Sequence, residues 1–257
     1  MVIDAHVHIT KDGKWFHTNN DASLSRLLRE MDQAKVDKAV LLALDSFIEN
    51  DFIAKVVKQY PDRFWGIGSV NPDNPRAIEE IMRCREDLGL VGLKLHPRLS
   101  GWDFSTPNLL PALAKAGEQR MVVVIDSFLY SRSHVPRRPI YDEIAQIAVE
   151  LPTLQIIVAH AGFHEVLETS LIARVFDNIW LDFSFVVERF WGSSVQLDLQ
   201  YACATLSHKI VWGSDFPEIN IENYFLKCKM LWKDLTAEQK QAIVGENWLS
   251  LMRRQGE

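Results

Sequence analysis

The sequence predicts an α/β protein, a single-domain (β/α)8 TIM barrel, and three observations carry that prediction. Short apolar runs recur about every thirty residues, with amphipathic stretches of helical spacing between them. No Gly/Ser-rich linker, low-complexity tract or shift of composition divides the 257 residues. Strand and helix alternate about eight times, and a closed barrel is the simplest architecture that uses them all. An open, doubly wound sheet is the alternative, but it usually brings a Gly-rich first turn for a nucleotide. Here the first strand runs into His6-Val7-His8 instead.

Strands are expected at 2–9, 38–44, 64–70, 91–96, 121–126, 154–160, 179–183 and 210–214. They are rich in Val, Ile, Leu and Phe, as parallel strands covered by helices must be. Leu24, Leu27, Leu28 and Met31 share one helical face, and Ile53, Val56, Val57 and Tyr60 share another that stops before Pro61. Ala77, Ile78, Ile81 and Met82 follow Pro75, a favourable early helical position. Leu109, Leu110, Leu113 and Ala114 follow Thr106 and Pro107 and end at Gly117. Thr236, with Gln239 three residues on, opens the last helix as a capping box.

An apolar content of 47% supports a large core. The formal charge of −6 is spread along the chain, and no stripe of Lys and Arg suggests a nucleic-acid footprint. Cys84, Cys203 and Cys228 are scattered and form no CxxC pair, which fits buried apolar side chains in a reducing compartment. No basic start and apolar core precede Asp4, so no signal peptide is expected, and the apolar runs are too short to span a bilayer. These readings predict a cytoplasmic protein with a small-molecule substrate.

Catalytic groups of such barrels sit at the C-terminal ends of the strands. The first strand carries Asp4, His6 and His8, which strict alternation places on one inward face. Two inward imidazoles and a carboxylate fit a cation site better than a core. Lys94 and His96 share a face of the fourth strand. Lys94 either pairs with a carboxylate, meets an anionic substrate, or is carbamylated to bridge metals. Asp126 ends the fifth strand as a metal ligand, a carboxylate behind one, or the partner of Lys94. His160 ends the sixth strand, placed to bind metal or polarise a substrate carbonyl. Asp215 ends the eighth, where it could ligate metal and take a proton from water. Arg98 suits a substrate carboxylate at the mouth, and Trp15 and His17 lie in mouth loops. Asp45, Asn71 and Asp182 end other strands and either shape the pocket or cap helices. His134, with Arg132, Arg137 and Arg138, reads as an exposed basic loop, and Trp232 and Trp248 read as packing.

The DxHxH start, GLKLHPR at 92–98, VAHAG at 158–162 and GSDFP at 213–217 resemble the amidohydrolase-related branch of the amidohydrolase superfamily. Tyr60-Pro-Asp-Arg-Phe, Val70-Asn-Pro and Gly245-Glu-Asn resemble it too, so the likeness runs in order along nearly the whole chain. The resemblance implies a divalent metal, most often Zn2+ with Mn2+ as the alternative. It implies hydrolysis of an amide, ester or lactone, or decarboxylation of an aromatic or unsaturated acid, as in aminocarboxymuconate-semialdehyde decarboxylase. It assigns the metal to His6, His8 and Asp215, with His160 catalytic or touching the metal. By analogy with such barrels, the resemblance is also compatible with a homodimer. The sequence departs from the pattern at the fifth strand, where Asp126 replaces the usual His. Either Asp126 is the ligand, or His160 or His96 completes the site, or the chemistry has changed.

The leading expectation is hydrolysis, with a metal-activated water, Asp215 as base and His160 steadying the oxyanion. Decarboxylation is the first alternative, with Arg98 and Lys94 holding a carboxylate. A metal-dependent nuclease with a similar start ranks low for want of a basic groove. A barrel that binds a ligand after losing its metal is the non-enzymatic alternative.

Overall fold

The computed structural model describes residues 1–131 and 135–256. Eight parallel strands, each paired with the next, form the sheet: β1 (Ile3–Val7), β2 (Lys38–Leu42), β3 (Phe64–Ser69), β4 (Gly92–Leu95), β5 (Val122–Ile125), β6 (Ile156–Val158), β7 (Ile179–Asp182) and β8 (Ile210–Val211). All eight fall within the runs predicted from the sequence. The sheet closes on itself beyond the short β8. Ala5 N donates to Trp212 O at 2.8 Å, Asp215 N to His6 O at 2.9 Å and His8 N to Phe216 O at 2.7 Å. The protein is a TIM barrel.

The helices follow the same order. The first is α1 (Leu24–Ala34), capped by Ser23, whose side chain accepts from Arg26 N. Next come α2 (Asn50–Gln59), α3 (Ala77–Glu86), the short α4 (Pro97–Ser100), α5 (Leu109–Glu118), α6 (Ile140–Glu150) and α7 (Val166–Val175). Then α8 (Val186–Arg189), α9 (Val195–Leu206), α10 (Ile221–Leu231), α11 (Ala237–Gln241) and α12 (Asn247–Gln255) complete the ring. The capping box of Thr236 and Gln239 starts α11. The helix then widens into a π-turn at Ala242–Glu246 before α12. A Cβ on Gly245 would lie 2.3 Å from Met1 O, so only glycine lets this turn meet the start of the chain.

The apolar residues form two clusters that alternate along the strands. One, with Ala39, Leu41, Val123, Ile125, Ile156 and Val158, packs against the helices. The other fills the barrel with Ile3, Ala5, Val40, Leu42, Ile67, Val122, Val124 and Ile157, and reaches Trp248, Leu251 and Met252 of α12. Trp232 and Trp248 are buried packing residues, and the three cysteines are buried and free. No helix among the described residues is long and apolar enough to cross a membrane.

One expectation fails in β1. Strict alternation would put Asp4 on the inward face with His6 and His8. Instead the pairing slips between Asp4, opposite Ala39, and Val7, opposite Leu41, so β1 spends one extra residue there. Ala5 stays with the interior cluster while Asp4 faces outward with Ala39. Asp4 Oδ1 accepts from Ser214 N at 2.8 Å, tying β1 to the segment after β8. Burial raises its carboxyl to about 7.

The basic loop expected around Arg132 and His134 lies outside the described residues.

Candidate metal and substrate site

Three ligand-type side chains meet at the seam where β1 and the segment after β8 close the barrel. The extra residue in β1 brings His6 and His8 together on the interior side. His6 Nδ1 bonds Asp182 Oδ2 at 2.5 Å, and Ser184 Oγ lies 3.0 Å from the same nitrogen. His8 Nδ1 donates to Leu42 O at 2.9 Å. Each acceptor fixes the proton on Nδ1 and leaves a bare lone pair on Nε2. The two Nε2 atoms lie 3.1 Å apart, and two lone pairs cannot hydrogen-bond to each other. Asp215 Oδ1 lies 3.6 Å from His6 Nε2 and 3.7 Å from His8 Nε2. One donor atom from each of the three residues falls within 4.8 Å of the others. Two facing imidazole lone pairs and a carboxylate form the donor set of a divalent cation. Burial, then the neighbouring His6 and Lys94, hold His8 well below the usual histidine range, so it is the neutral form a metal takes. Burial pulls the Asp182 carboxyl up. The interaction with His6, its hydrogen bond included, outweighs it and leaves that carboxyl below its ordinary value.

A second group lies beside the first. Asp126, just past β5, turns Oδ2 toward Lys94 Nζ at 3.0 Å, His160 Nε2 at 3.3 Å and His96 Nε2 at 3.5 Å. Its Oδ1 accepts from Phe128 N at 2.9 Å. His160 Nδ1 lies 3.1 Å from Ser184 O, so both ring nitrogens of His160 face acceptors. Burial alone would lower His160, but the hydrogen bond and charge of Asp126 raise it to about 9. Burial lowers His96 to about 3, against the pull of Asp126. The two imidazoles beside Asp126 are thus pushed in opposite directions, His160 toward the charged form and His96 toward the neutral one.

The site opens into a cavity of about 190 Å³. His6, His8, His96, Asp126, His160 and Asp215 form its polar floor. Trp15, Phe16, Phe128 and Phe185 supply aromatic walls, and Arg98 stands on the rim. Trp15 stacks on His8 at 5.4 Å between ring centroids, and its indole donates to Glu218 Oε1 at 2.6 Å. Four lining residues, Phe16, His160, Phe185 and Asp215, have left-handed backbone with φ between 47° and 64°. Such conformations cost a non-glycine residue about 1 kcal/mol or more and cluster at functional sites.

Of the candidates read from the sequence, His6, His8 and Asp215 come together as one group, and His160 and Asp126 lie beside them. His96 and Arg98 line the cavity. Lys94 is wholly buried against Asp126 and is not among the cavity-lining residues, which answers the question of its partner. Asp182 proves to be the residue that orients His6, a role its place at a strand end did not specify. Ser184, Phe185 and Glu218 were not singled out. They sit in loops, where only the spacing of Ser184 two residues after Asp182 offered a local signal.

Comparison with known proteins identifies the family. The model of the amidohydrolase family matches residues 3–248, and the chain belongs to that family. A 2-amino-3-carboxymuconate-6-semialdehyde decarboxylase of Dictyostelium discoideum is 38% identical over 63 residues, 24% of this chain and 18% of that protein. The chain therefore aligns with less than a fifth of that relative's length. An uncharacterized TIM-barrel protein of Bordetella bronchiseptica superposes with a TM-score of 0.81 at 18% identity, covering 100% of this chain and 99% of the other. A probable 2-pyrone-4,6-dicarboxylic acid hydrolase of Acinetobacter baumannii gives 0.71 at 20% identity, covering 98% and 99%. A 5-carboxyvanillate decarboxylase of Novosphingobium aromaticivorans, with bound manganese and a nitrobenzoic acid, gives 0.70 at 17% identity, covering 98% and 97%. The protein is thus an enzyme of the amidohydrolase superfamily.

Proposed function

We propose that the protein is a metal-dependent decarboxylase of a small aromatic or unsaturated carboxylic acid. The observation that carries this reading is Arg98. Its Nε donates to Phe128 O at 2.9 Å and its guanidinium lies over the Phe128 ring at 4.6 Å. No carboxylate among the described residues pairs with it, and it borders an aromatic-walled cavity. An unpaired guanidinium beside aromatic walls suits a flat anion. A cavity of about 190 Å³ suits a molecule of about one ring.

The metal, zinc or manganese, would be held by His6, His8 and Asp215 and would supply Lewis acidity toward the substrate's oxygens. The chain's own residues do the rest. Arg98 orients the acid, and the aromatic walls keep water from the ring. His160, whose ring Asp126 favours in its protonated form, is the acid that would give its Nε2 proton to the carbon that bears the carboxylate. The carbon–carbon bond then breaks, CO2 leaves, and the electron pair stays with the ring or diene. The similarity to decarboxylases supports this reading over the hydrolysis that the family resemblance first suggests.

Hydrolysis is the second reading, favoured by Asp215. Its carboxylate beside both bare imidazole nitrogens is placed to take the proton of an attacking water.

A panel of benzoates and unsaturated dicarboxylates, assayed for CO2 with the metal-loaded enzyme, tests the proposal. We expect CO2 from at least one acid, and Arg98→Met should lower kcat/KM for it about ten- to a hundredfold, the worth of one charge-assisted hydrogen bond. Turnover of lactones with no CO2 from any acid would replace decarboxylation with the second reading.

A further inference from the structure

We infer that Asp126 is no part of the metal's coordination shell: it is the fixed counter-charge of Lys94, and three protein side chains alone, His6, His8 and Asp215, hold the ion. This goes beyond the proposed reaction and stands whether that reaction is decarboxylation or hydrolysis.

The first argument is the use already made of the Asp126 carboxylate. Its Oδ2 faces Lys94, His160 and His96 at 3.0, 3.3 and 3.5 Å, and its Oδ1 accepts from Phe128 N. A carboxylate offers about four acceptor directions. Three neighbours crowd Oδ2 and the Phe128 N–H takes Oδ1, and none of the four is one of the bare Nε2 atoms. The second argument is Lys94. It is 0% exposed, and its ammonium makes no well-formed hydrogen bond among the described residues. The carboxylate at 3.0 Å is its one compensation. Were Asp126 to swing onto the metal, the Lys94 ammonium would be left buried and unpaired beside a dication. Both the desolvation and the repulsion oppose that movement.

The third argument is the position of the two groups. Asp215 contacts both imidazoles, whereas Asp126 contacts neither, and its histidine neighbours are His96 and His160. The three-residue shell leaves the ion's other positions to water or to substrate oxygens. Asp126 serves as a positioning residue: it holds His160 from one side while Ser184 O holds it from the other.

The test is a titration of metal-free protein with Zn2+, read by competition with a chromophoric chelator, and the absorption bands of the Co2+ form. Asp126→Asn should still bind one ion per chain with unchanged cobalt bands, its Kd weakened by no more than about tenfold through the repulsion of the uncompensated Lys94. Lys94→Met should bind about tenfold more tightly or better, because the released carboxylate can now reach the ion. Either single variant leaves one buried group uncompensated and could unfold. The double variant Lys94→Met/Asp126→Asn removes both charges together, and it should fold and keep the wild-type Kd. A hundredfold loss of affinity in a folded Asp126→Asn or double variant, or cobalt bands that change with Asp126, would place Asp126 among the ligands and overturn the inference. Wild-type affinity in a folded Lys94→Met would overturn the claim that Lys94 holds the carboxylate back.

Discussion

His6 can offer Nε2 to a cation because Asp182 accepts a hydrogen bond from Nδ1–H and keeps the proton there. A carboxylate can only accept, so the tautomer is fixed. An amide at the same place could turn its NH2 toward Nδ1, and the ring proton would then move to Nε2 and block it. Asp182→Asn should therefore weaken metal binding about ten- to a hundredfold, the usual cost of losing such a support, with the barrel still folded. Calorimetric titration with Zn2+ checks this, and an unchanged Kd would remove Asp182 from that role. At this scale the sequence was informative for residue type and weak for partnership. Two histidines and a carboxylate at strand ends were legible because a barrel core has no other use for them. That Asp182 belonged to His6, 176 residues away, was not. Nor was the extra residue of β1, since nothing in Asp4-Ala-His6 distinguishes a bulge from plain alternation. Lys94 and Asp126 stood as two candidates with several roles each, and no local signal told that they lie 3.0 Å apart.

At the level of elements, period carried most of the reading. Strands and helices announced themselves because one face of each must be apolar. Yet β4, β5, β6 and β8 stop short of His96, Asp126, His160 and Ser214, the residues predicted to end them. The chain leaves the ladder there, and the left-handed backbone at His160 and Asp215 re-aims those side chains. Loops were opaque for a different reason: Trp15 and Glu218 meet across 203 residues, with no periodic signal to link them. Helices are tied to each other by ion pairs that pH can address. Arg83 of α3 bonds both Asp51 oxygens, at 3.0 and 2.9 Å, and Glu80 at 2.8 Å. The hydrogen bonds from Arg83 hold the Asp51 and Glu80 carboxyls below their ordinary values. Depressed carboxyls contribute stability above their unfolded values, near 4, and lose it as pH falls through their folded values. The pairs are largely exposed, so their worth is at most about 1 kcal/mol. Arg83→Met should lower Tm by about 2–4 °C at pH 7. That deficit should shrink toward zero as the pH drops below about 4. Thermal scans from pH 7 to pH 3 check both parts, and a deficit that persists at pH 3 would assign the loss to packing.

For the whole molecule, the candidate metal site and the closure of the barrel are one place. β8 has two residues, and the seam beyond it depends on a few backbone bonds and the approach of Gly213 to His6. A Cβ on Gly213 would stand 2.6 Å from His6 Cβ and 2.9 Å from His6 N, closer than any side chain allows. His6 and His8 belong to the first strand and its exit, and Asp215 follows the last. An ion shared by the three joins the two ends of the sheet across this seam, so binding should stabilise the fold and not only the reaction. Binding to the folded state alone adds RT ln(1 + [L]/Kd), about 2.7 kcal/mol at a hundredfold excess over Kd. In a chain of this size that raises Tm by about 5–10 °C. Differential scanning calorimetry with and without a chelator should show this rise. The variant His6→Ala/His8→Ala should melt at one temperature in both conditions. A wild type indifferent to the chelator, after full loading with Zn2+ or Mn2+, would mean that the ion does not bridge the seam.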